Sequence, residues 1–428
     1  MSSGLSSDPE RHEGQSLSPS GTTQLSSTDC KMPENSIGTY PYQPLQSDRH
    51  IRLLLLNPPA TSTPQGSPLI SATLHQYRLG GGYVLIACDD PTITFVTPPL
   101  CPRYKALSYE WGPPPSNLSD SPVVLLDNHP THVRQNLYNA LESIIRNHHH
   151  IYGESLLYLW VDAICINQLD DKEKGHQVRL MRDIYMDAEQ VIIWLGMGTD
   201  YTERVMEIIN MEERELRRYA WNSKLTEKEW EGIVDIYCKP TYWTRVWILQ
   251  EFFLASNYVV LCNNAFVAKA NFERGLEILQ QNARSYVLRS HSYQQNVAWG
   301  SISHWALMLF GDIAVKRVIF LRSARWPGMK TVDKWLDVLY KHKSKATDPR
   351  DYVFAVLGIS DDGEQITPDY ELSTSDVYLV ALLTYAASDR IVSDAKDDDS
   401  DPDSGPENWA ELMGVPEDEA SWPIPYQN

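Results

Sequence analysis

Cysteine is scarce in this chain, and none of it is spaced for chemistry. The 428 residues hold six: Cys30, Cys88, Cys101, Cys165, Cys238 and Cys262. That is too few for a disulfide scaffold, and no pair has the two-residue spacing of a zinc knuckle or a redox motif. Long hydrophobic runs are also missing. Leu53–Leu56 and Val191–Leu195 are among the longest, far short of the roughly 20 residues a membrane helix needs, so no membrane span is expected. The N-terminus opens on Ser, Gly, Pro and Asp, without the basic and apolar regions of a signal peptide. Basic residues form no stripe interleaved with aromatics. A phosphate-backbone binder needs such a stripe, so no nucleic-acid partner is expected. Together these absences point to a reducing, aqueous compartment and a cytoplasmic location.

The charge that is present lies unevenly. The net value is −19, and from Asp389 to the end twelve acids face two bases, which leaves the body only mildly acidic. With 42% hydrophobic residues, the chain is long enough for one large core or two ordinary ones. Residues 1–48 are rich in Ser, Thr, Pro and Gly. Such a stretch buries too little surface to offset its ordering entropy and reads as a disordered arm. Gly80-Gly81-Gly82 stands before the apolar run Tyr83–Ala87. A phosphate-cradling loop needs the strand first and a helix after it, so the triple glycine reads as a turn.

From Tyr104 the pattern sharpens. Ile51–Leu56 and Lys105–Tyr109 read as strands, and Val123–Leu126, Asp127-Asn128 and His129–Val133 as a hairpin. Asn136 is placed to cap a helix whose apolar stripe is Leu137, Ala140, Leu141, Ile144 and Ile145. Leu156–Val161, the helix carrying Val178, Met181, Tyr185 and Ala188, and Val191–Leu195 make a βαβ unit, which demands parallel strands and an α/β fold. Charged helices follow over 203–237, then a buried helix Tyr242–Ala255 and a hairpin Tyr258–Cys262 with Ala265–Ala268. Helices are expected at Phe272–Gln281, Val332–Lys343, Tyr352–Leu357 and Ser375–Ala387. The expected layout is an arm at 1–48, a domain at 49–268, a helical region at 269–388 and a loosely ordered acidic tail at 389–428.

Active groups in open parallel sheets gather beyond the carboxyl ends of strands, and Asp162–Gln168 occupies that place. Asp162, Asn167 and Gln168 could bind a polar ligand, with Cys165 as a nucleophile. Equally, Asp162 could cap a turn, the two amides satisfy backbone groups, and Cys165 fill a core position. A second constellation is Arg245-Val246-Trp247-Ile248-Leu249-Gln250-Glu251. On a helix Trp247 and Glu251 share a face, and an indole beside a carboxylate would raise its pKa. The alternative is a core Trp with Glu251 paired to Arg245. His148-His149-His150 has no spaced partner for a metal and reads as a helix end. Gly112 and Gly196 read as backbone turns.

Three of these blocks together resemble the fungal heterokaryon-incompatibility (HET) domain. They are Tyr104–Gly112, with Trp111 in it; Leu159–Gln168 continued by Gln177, Met181, Tyr185, Ala188 and Val191–Gly196; and Trp243, Arg245, Trp247, Gln250 and Glu251. The likeness covers about 104–255 and continues weakly through Ala346–Asp351 to Gly358 and Pro368–Tyr370. Glu110 departs from the usual small or apolar residue, and Lys174-Gly175-His176 from the commoner Glu-Arg pair. The resemblance implies an effector of self/non-self recognition that triggers growth arrest or cell death, switched on by a protein partner or self-association. It also implies a distant similarity to TIR domains, hence a TIR-like, flavodoxin-like parallel core with a β-hairpin elaboration and a mostly helical C-terminal region. Some TIR domains cleave NAD, using a Trp and a Glu four residues apart. By that likeness Glu251 is the candidate catalytic residue, and Trp247, Asp162, Asn167, Gln168, Trp111 and Arg245 are candidates for binding or support. NAD would be substrate, with no cofactor or metal required. The competing expectation is a non-catalytic signalling module acting by association.

Overall fold

The computed structural model describes residues 40–57, 70–80, 101–117, 120–148, 156–221, 225–238, 241–292, 331–341, 343–392 and 405–416. The described residues hold one mixed sheet of nine strands: β1 (His50–Leu56), β2 (Ser71–Arg78), β3 (Lys105–Tyr109), β4 (Val123–Leu126), β5 (His129–His132), β6 (Tyr158–Trp160), β7 (Gln190–Trp194), β8 (Tyr258–Cys262) and β9 (Ala265–Ala268). Their lateral order is β5-β4-β2-β1-β6-β3-β7-β8-β9.

The central strands β6, β3, β7 and β8 run parallel. Numbered along the chain, they lie side by side as second, first, third and fourth. That is the order of flavodoxin-like sheets, which reverse direction beside their first strand and bind ligands there. The reversal here falls between β3 and β7. These strands are central because both their faces are apolar, as parallel strands covered on two sides must be. In β7, Val191, Ile192, Ile193 and Trp194 are all buried, and so is every residue of β8. Each such Val or Ile contributes about 1.5–3 kcal/mol of burial. Antiparallel pieces extend the sheet on both sides, with β1 on β6, β5 on β4 and β9 on β8. Asp127 and Asn128 turn β4 into β5 with φ of 47° and 65°, the two positive values a tight hairpin turn requires.

The helices that frame the site are α1 (Gln135–Arg146), α2 (Asp162–Cys165), α3 (Asp171–Asp187), α4 (Asp200–Ile209), α5 (Glu213–Trp221), α6 (Glu227–Tyr237) and α7 (Ile248–Glu251). Beyond β9 come α8 (Lys269–Ser292), α9 (Val332–Lys341), α10 (Asp351–Leu357), α11 (Thr374–Val392) and α12 (Pro406–Met413). The βαβ unit is present as β6–α3–β7, with β3 inserted between its two strands.

Four local features differ from the sequence reading. Strand β2 carries no clear hydrophobic pattern, since only Ala72 in it is buried; it exists because it pairs with β1 from Ala72 to Arg78. Helix α1 is entered from Arg134 without a side-chain cap, because Asn136 uses its amide to link two strand ends instead. The buried helix expected over Tyr242–Ala255 is broken into a 3-10 turn, Thr241–Thr244, and the single turn α7. Between them Lys345 pairs with the backbone of Thr244 and Val246, at 2.7 and 3.0 Å, occupying a carbonyl and an amide that a continuous helix would use. In the acidic tail α12 is folded, with Trp409 1% exposed and its indole donating to Asp337 at 2.7 Å. Residues 1–39, Gly81 and Gly82, Tyr83–Ala87, His149 and His150 lie outside the described residues.

Candidate functional site

Strand β3 reads Lys-Ala-Leu-Ser-Tyr, and Ser108 in it is fully buried. A buried hydroxyl must find partners, and Ser108 finds two. Its Oγ donates to Glu251 Oε2 at 2.5 Å and lies 2.6 Å from the Tyr242 hydroxyl. With the Ser108 proton on Glu251, Tyr242 donates to Ser108, so the three form a directed chain. Glu251 itself is 2% exposed. Arg245 grips it from the other side, Nη1 to Oε2 and Nη2 to Oε1, both at 3.1 Å. Burial works against the guanidinium's charge, but Glu251 outweighs it and the Arg245 pKa is driven upward. Burial, and Glu251 after it, also push the Tyr242 phenol well above its ordinary value. The broken helix matters here. It brings Arg245 back onto Glu251 across the turn of Trp247 and Ile248.

A second carboxylate stands at the end of β6. Asp162 Oδ2 accepts from the Trp111 indole at 2.7 Å, and Oδ1 from the Ala163 backbone at 2.7 Å. Burial and the nearby charge of Glu251 push its pKa up to about 6, against the pull of Trp111 and Arg245. Burial, and the nearby Asp162 charge after it, raise the Tyr109 phenol well above its ordinary value. Trp111 is partly exposed and carries the Arg134 guanidinium 5.3 Å from its ring centre. Arg134 also donates to the carbonyl of Gly112 at 2.5 Å. Gly112 turns the chain after β3 at φ 73°, a conformation that costs other residues roughly 1–2 kcal/mol. Asn136 ties this end together, donating to the Glu110 carbonyl and accepting from Trp194 at 2.8 Å.

The remaining motif residues hold the loop that presents Asp162. Gln168 donates to the Asp162 carbonyl at 2.9 Å. Asn167 gives its backbone N–H to Glu173 at 2.7 Å, and its side chain accepts from Leu169. Glu173 is itself clamped by Arg52, at 2.5 and 2.9 Å, and Arg52 also reaches the carbonyls of Cys165 and Gln43. Asn167 and Gln168 therefore shape the turn. Cys165 is fully buried, its thiol pushed up to about 12 by burial, which is the setting of a packing residue and not of a nucleophile.

Trp247 and Glu251 remain four apart, with the Glu251 N–H on the Trp247 carbonyl at 3.0 Å, but their side chains serve different partners. The Trp247 indole donates to Asp351 at 3.0 Å, and Tyr370 donates to the same carboxylate at 2.7 Å. Burial pushes Asp351 up to about 6. Arg350 grips Asp348 and donates to the carbonyls of Tyr370 and Leu372, which accounts for the Asp348–Asp351 pattern. Gln250 donates to the carbonyls of Phe354 and Ala355 at 3.3 and 3.0 Å. Sequence reasoning did not single out Ser108, Tyr109, Tyr242, Arg134 or Asp351 as site residues. Ser108 carried a signal, as the one hydroxyl of Ser or Thr type within an apolar strand; the others gain their place only by packing.

Asp162, Trp111, Arg245 and Glu251 thus form one cluster, while Trp247 faces the C-terminal region. Among the described residues no group of His, Cys, Asp and Glu is placed to hold a metal ion, and no helix is long and apolar enough to cross a membrane. Residues 104–251 match the family model described as Heterokaryon incompatibility protein (HET). The chain is 27% identical over 329 residues to Heterokaryon incompatibility protein 6, OR allele, of Neurospora crassa, an alignment covering 67% of this chain and 48% of that protein. The chain therefore spans about half the length of that curated relative. No solved structure matches. Three motifs in order, the matching family model and this relative make residues 104–251 similar to a heterokaryon incompatibility (HET) domain.

Proposed function

We propose that the chain is an effector of fungal self/non-self recognition, that it acts in the cytoplasm after self-association or partner binding, and that it arrests growth or kills by cleaving NAD at the Asp162–Glu251 cluster. One observation carries the reading. Two carboxylates, Asp162 and Glu251, and the guanidinium of Arg245 meet beside β3 and β6, next to the point where the parallel sheet reverses. Breaking the nicotinamide–ribose bond develops positive charge on the ribosyl carbon, and paired carboxylates are suited to stabilise it. Desolvated, preorganised charges do this better than water does. Asn167 and Gln168 support the loop, and Trp111 offers a flat, partly exposed ring bonded to Asp162.

The second reading is a non-catalytic module, in which the network only holds an interface in shape. It is favoured by the 2% exposure of Glu251 and by its bonds to Arg245 and Ser108. Nicotinamide release from NAD by concentrated or artificially oligomerised full-length protein separates the two. The enzymatic reading expects release, its loss in Glu251→Gln, and parallel loss of killing in a fungal host. Killing that persists in a folded Glu251→Gln protein would establish the module instead.

A further inference from the structure

The two carboxylates have unequal freedom. Both Glu251 oxygens are taken up from within, by Ser108 and by the two arms of Arg245. Asp162 lies on the solvent side of this pair. It is partly exposed, it follows the carboxyl end of β6, and its Oδ2 lies against the partly exposed Trp111. An ionised carboxylate has about four lone-pair sites, so the bonds from Trp111 and Ala163 leave room for another donor. A ligand approaching from solvent therefore reaches Asp162 before Glu251.

We propose that Asp162 is the general base of this site, and that Glu251 is a positioning residue that stands behind it and tunes it. This rests on NAD cleavage as the reaction. The bond between the ribosyl carbon and the pyridinium nitrogen breaks, and its electron pair leaves with nicotinamide as a neutral molecule. Water oxygen forms the new bond to the ribosyl carbon, and its proton passes to an Asp162 oxygen and then to solvent. NAD and water yield ADP-ribose, nicotinamide and one proton, with no oxidant or reductant.

The groups facing Asp162 act in both directions. From β3 and the turn after it come Tyr109 and Trp111, from α2 Cys165, from α3 Tyr185, and from the α7 segment Arg245 and Glu251. Arg134, at the start of α1, acts on Tyr109 and lies over Trp111. Burial and the Glu251 charge make Asp162 a stronger proton acceptor, while Arg245 and Trp111 restrain it. A base of this strength is largely ionised at neutral pH and close enough to it to accept a proton efficiently.

The test is run on the full chain. The indole N–H of Trp111, assigned with Trp111→Phe, reports Asp162 directly by nitrogen-15 NMR. Its signal should titrate with a midpoint near 6, lose the transition in Asp162→Asn, and shift to lower pH in Glu251→Gln. Nicotinamide release by the wild type should fall as pH is lowered through the same range. Asp162→Asn should slow release by about 100-fold or more while circular dichroism stays unchanged. A flat Trp111 signal in the wild type, or wild-type turnover by Asp162→Asn, overturns the assignment. If the wild-type indole titrates but oligomerised wild-type protein releases no nicotinamide, NAD cleavage itself fails, and the base role with it.

Discussion

Glu251 and Asp162 are carboxylates a few side chains apart, yet their surroundings give them different work. Glu251 is held by a serine and an arginine inside the core; Asp162 is held by an indole near the surface. Removing one partner of a buried ion pair leaves the other charge uncompensated, which costs about 3–5 kcal/mol. Arg245→Ala should therefore lower stability by about that amount in urea unfolding, and more than Glu251→Gln does. An equal effect of the two would mean that the pair is solvated in solution. Cys165 gives a second prediction. With its thiol buried and raised to about 12, it should resist alkylation at pH 8 in the native protein and react only after unfolding, as mass spectrometry of the labelled peptide would show. Ser108 illustrates how much of this was legible. A lone Ser inside an apolar strand announces a need for partners, but which partners it finds depends on a turn 130 or more residues away in the chain.

At the scale of elements, the segment carrying Arg245 and Glu251 is shaped from outside the HET match. Lys345 breaks the helix, Asp351 takes the Trp247 indole, and the carbonyls of α10 receive Gln250. Helix α3 is fitted to the same neighbour. A Cβ on Gly175 would lie 2.6 Å from the Pro368 carbonyl oxygen, and the Lys174 ammonium sits 3.7 Å from the centre of the Tyr370 ring. The departure Lys174-Gly175-His176 is thereby explained in part, since the C-terminal segment crosses closely there. In an isolated helix Gly→Ala is favourable by about 1 kcal/mol. Here Gly175→Ala should destabilise by about 1–3 kcal/mol, the cost of overpacking against backbone. A variant as stable as wild type in thermal unfolding would mean that the 368–372 segment can move away. Sequence periodicity identified the helices and central strands, because their apolar spacing is strong. It missed β2 and the break near Lys345, because both come from backbone pairing with distant segments and leave little trace in local composition.

At the scale of the molecule, Asp162 and Asp351 set a pH dependence. Both bind protons more tightly when folded, at about 6, than at the ordinary 3.8. Between roughly pH 4 and 6 the folded state holds protons that the unfolded chain lacks, so their contribution to stability falls as pH rises through that window. Relative to Asp351→Asn, the wild type should gain on the order of 1 kcal/mol as pH falls from 7 to 5, read from urea midpoints at each pH. Parallel curves would remove Asp351 as a titrating group. Below that range Asp348 and Glu189, which ion pairing holds low, lose their favourable charge and reverse the trend. The sheet also predicts that residues 104–251 do not fold alone. They lack β1, β2 and β8, which pair with β6, β4 and β7, and the fragment should be cleaved rapidly under conditions where the full chain resists protease.

Composition and periodicity alone determined the α/β class and the βαβ unit, because these rest on local hydrophobic spacing, and three long motifs in order carried the resemblance to the HET domain. Asp162–Gln168 was legible as a strand-end segment for the same reason. The tertiary structure alone decided which motif residues meet. It turned Trp247 toward Asp351, closed Arg245 onto Glu251, and left Asp162 on the solvent side. Those outcomes depend on where a buried charge can find its counter-charge, and burial is a property of the packed whole that no stretch of sequence carries by itself.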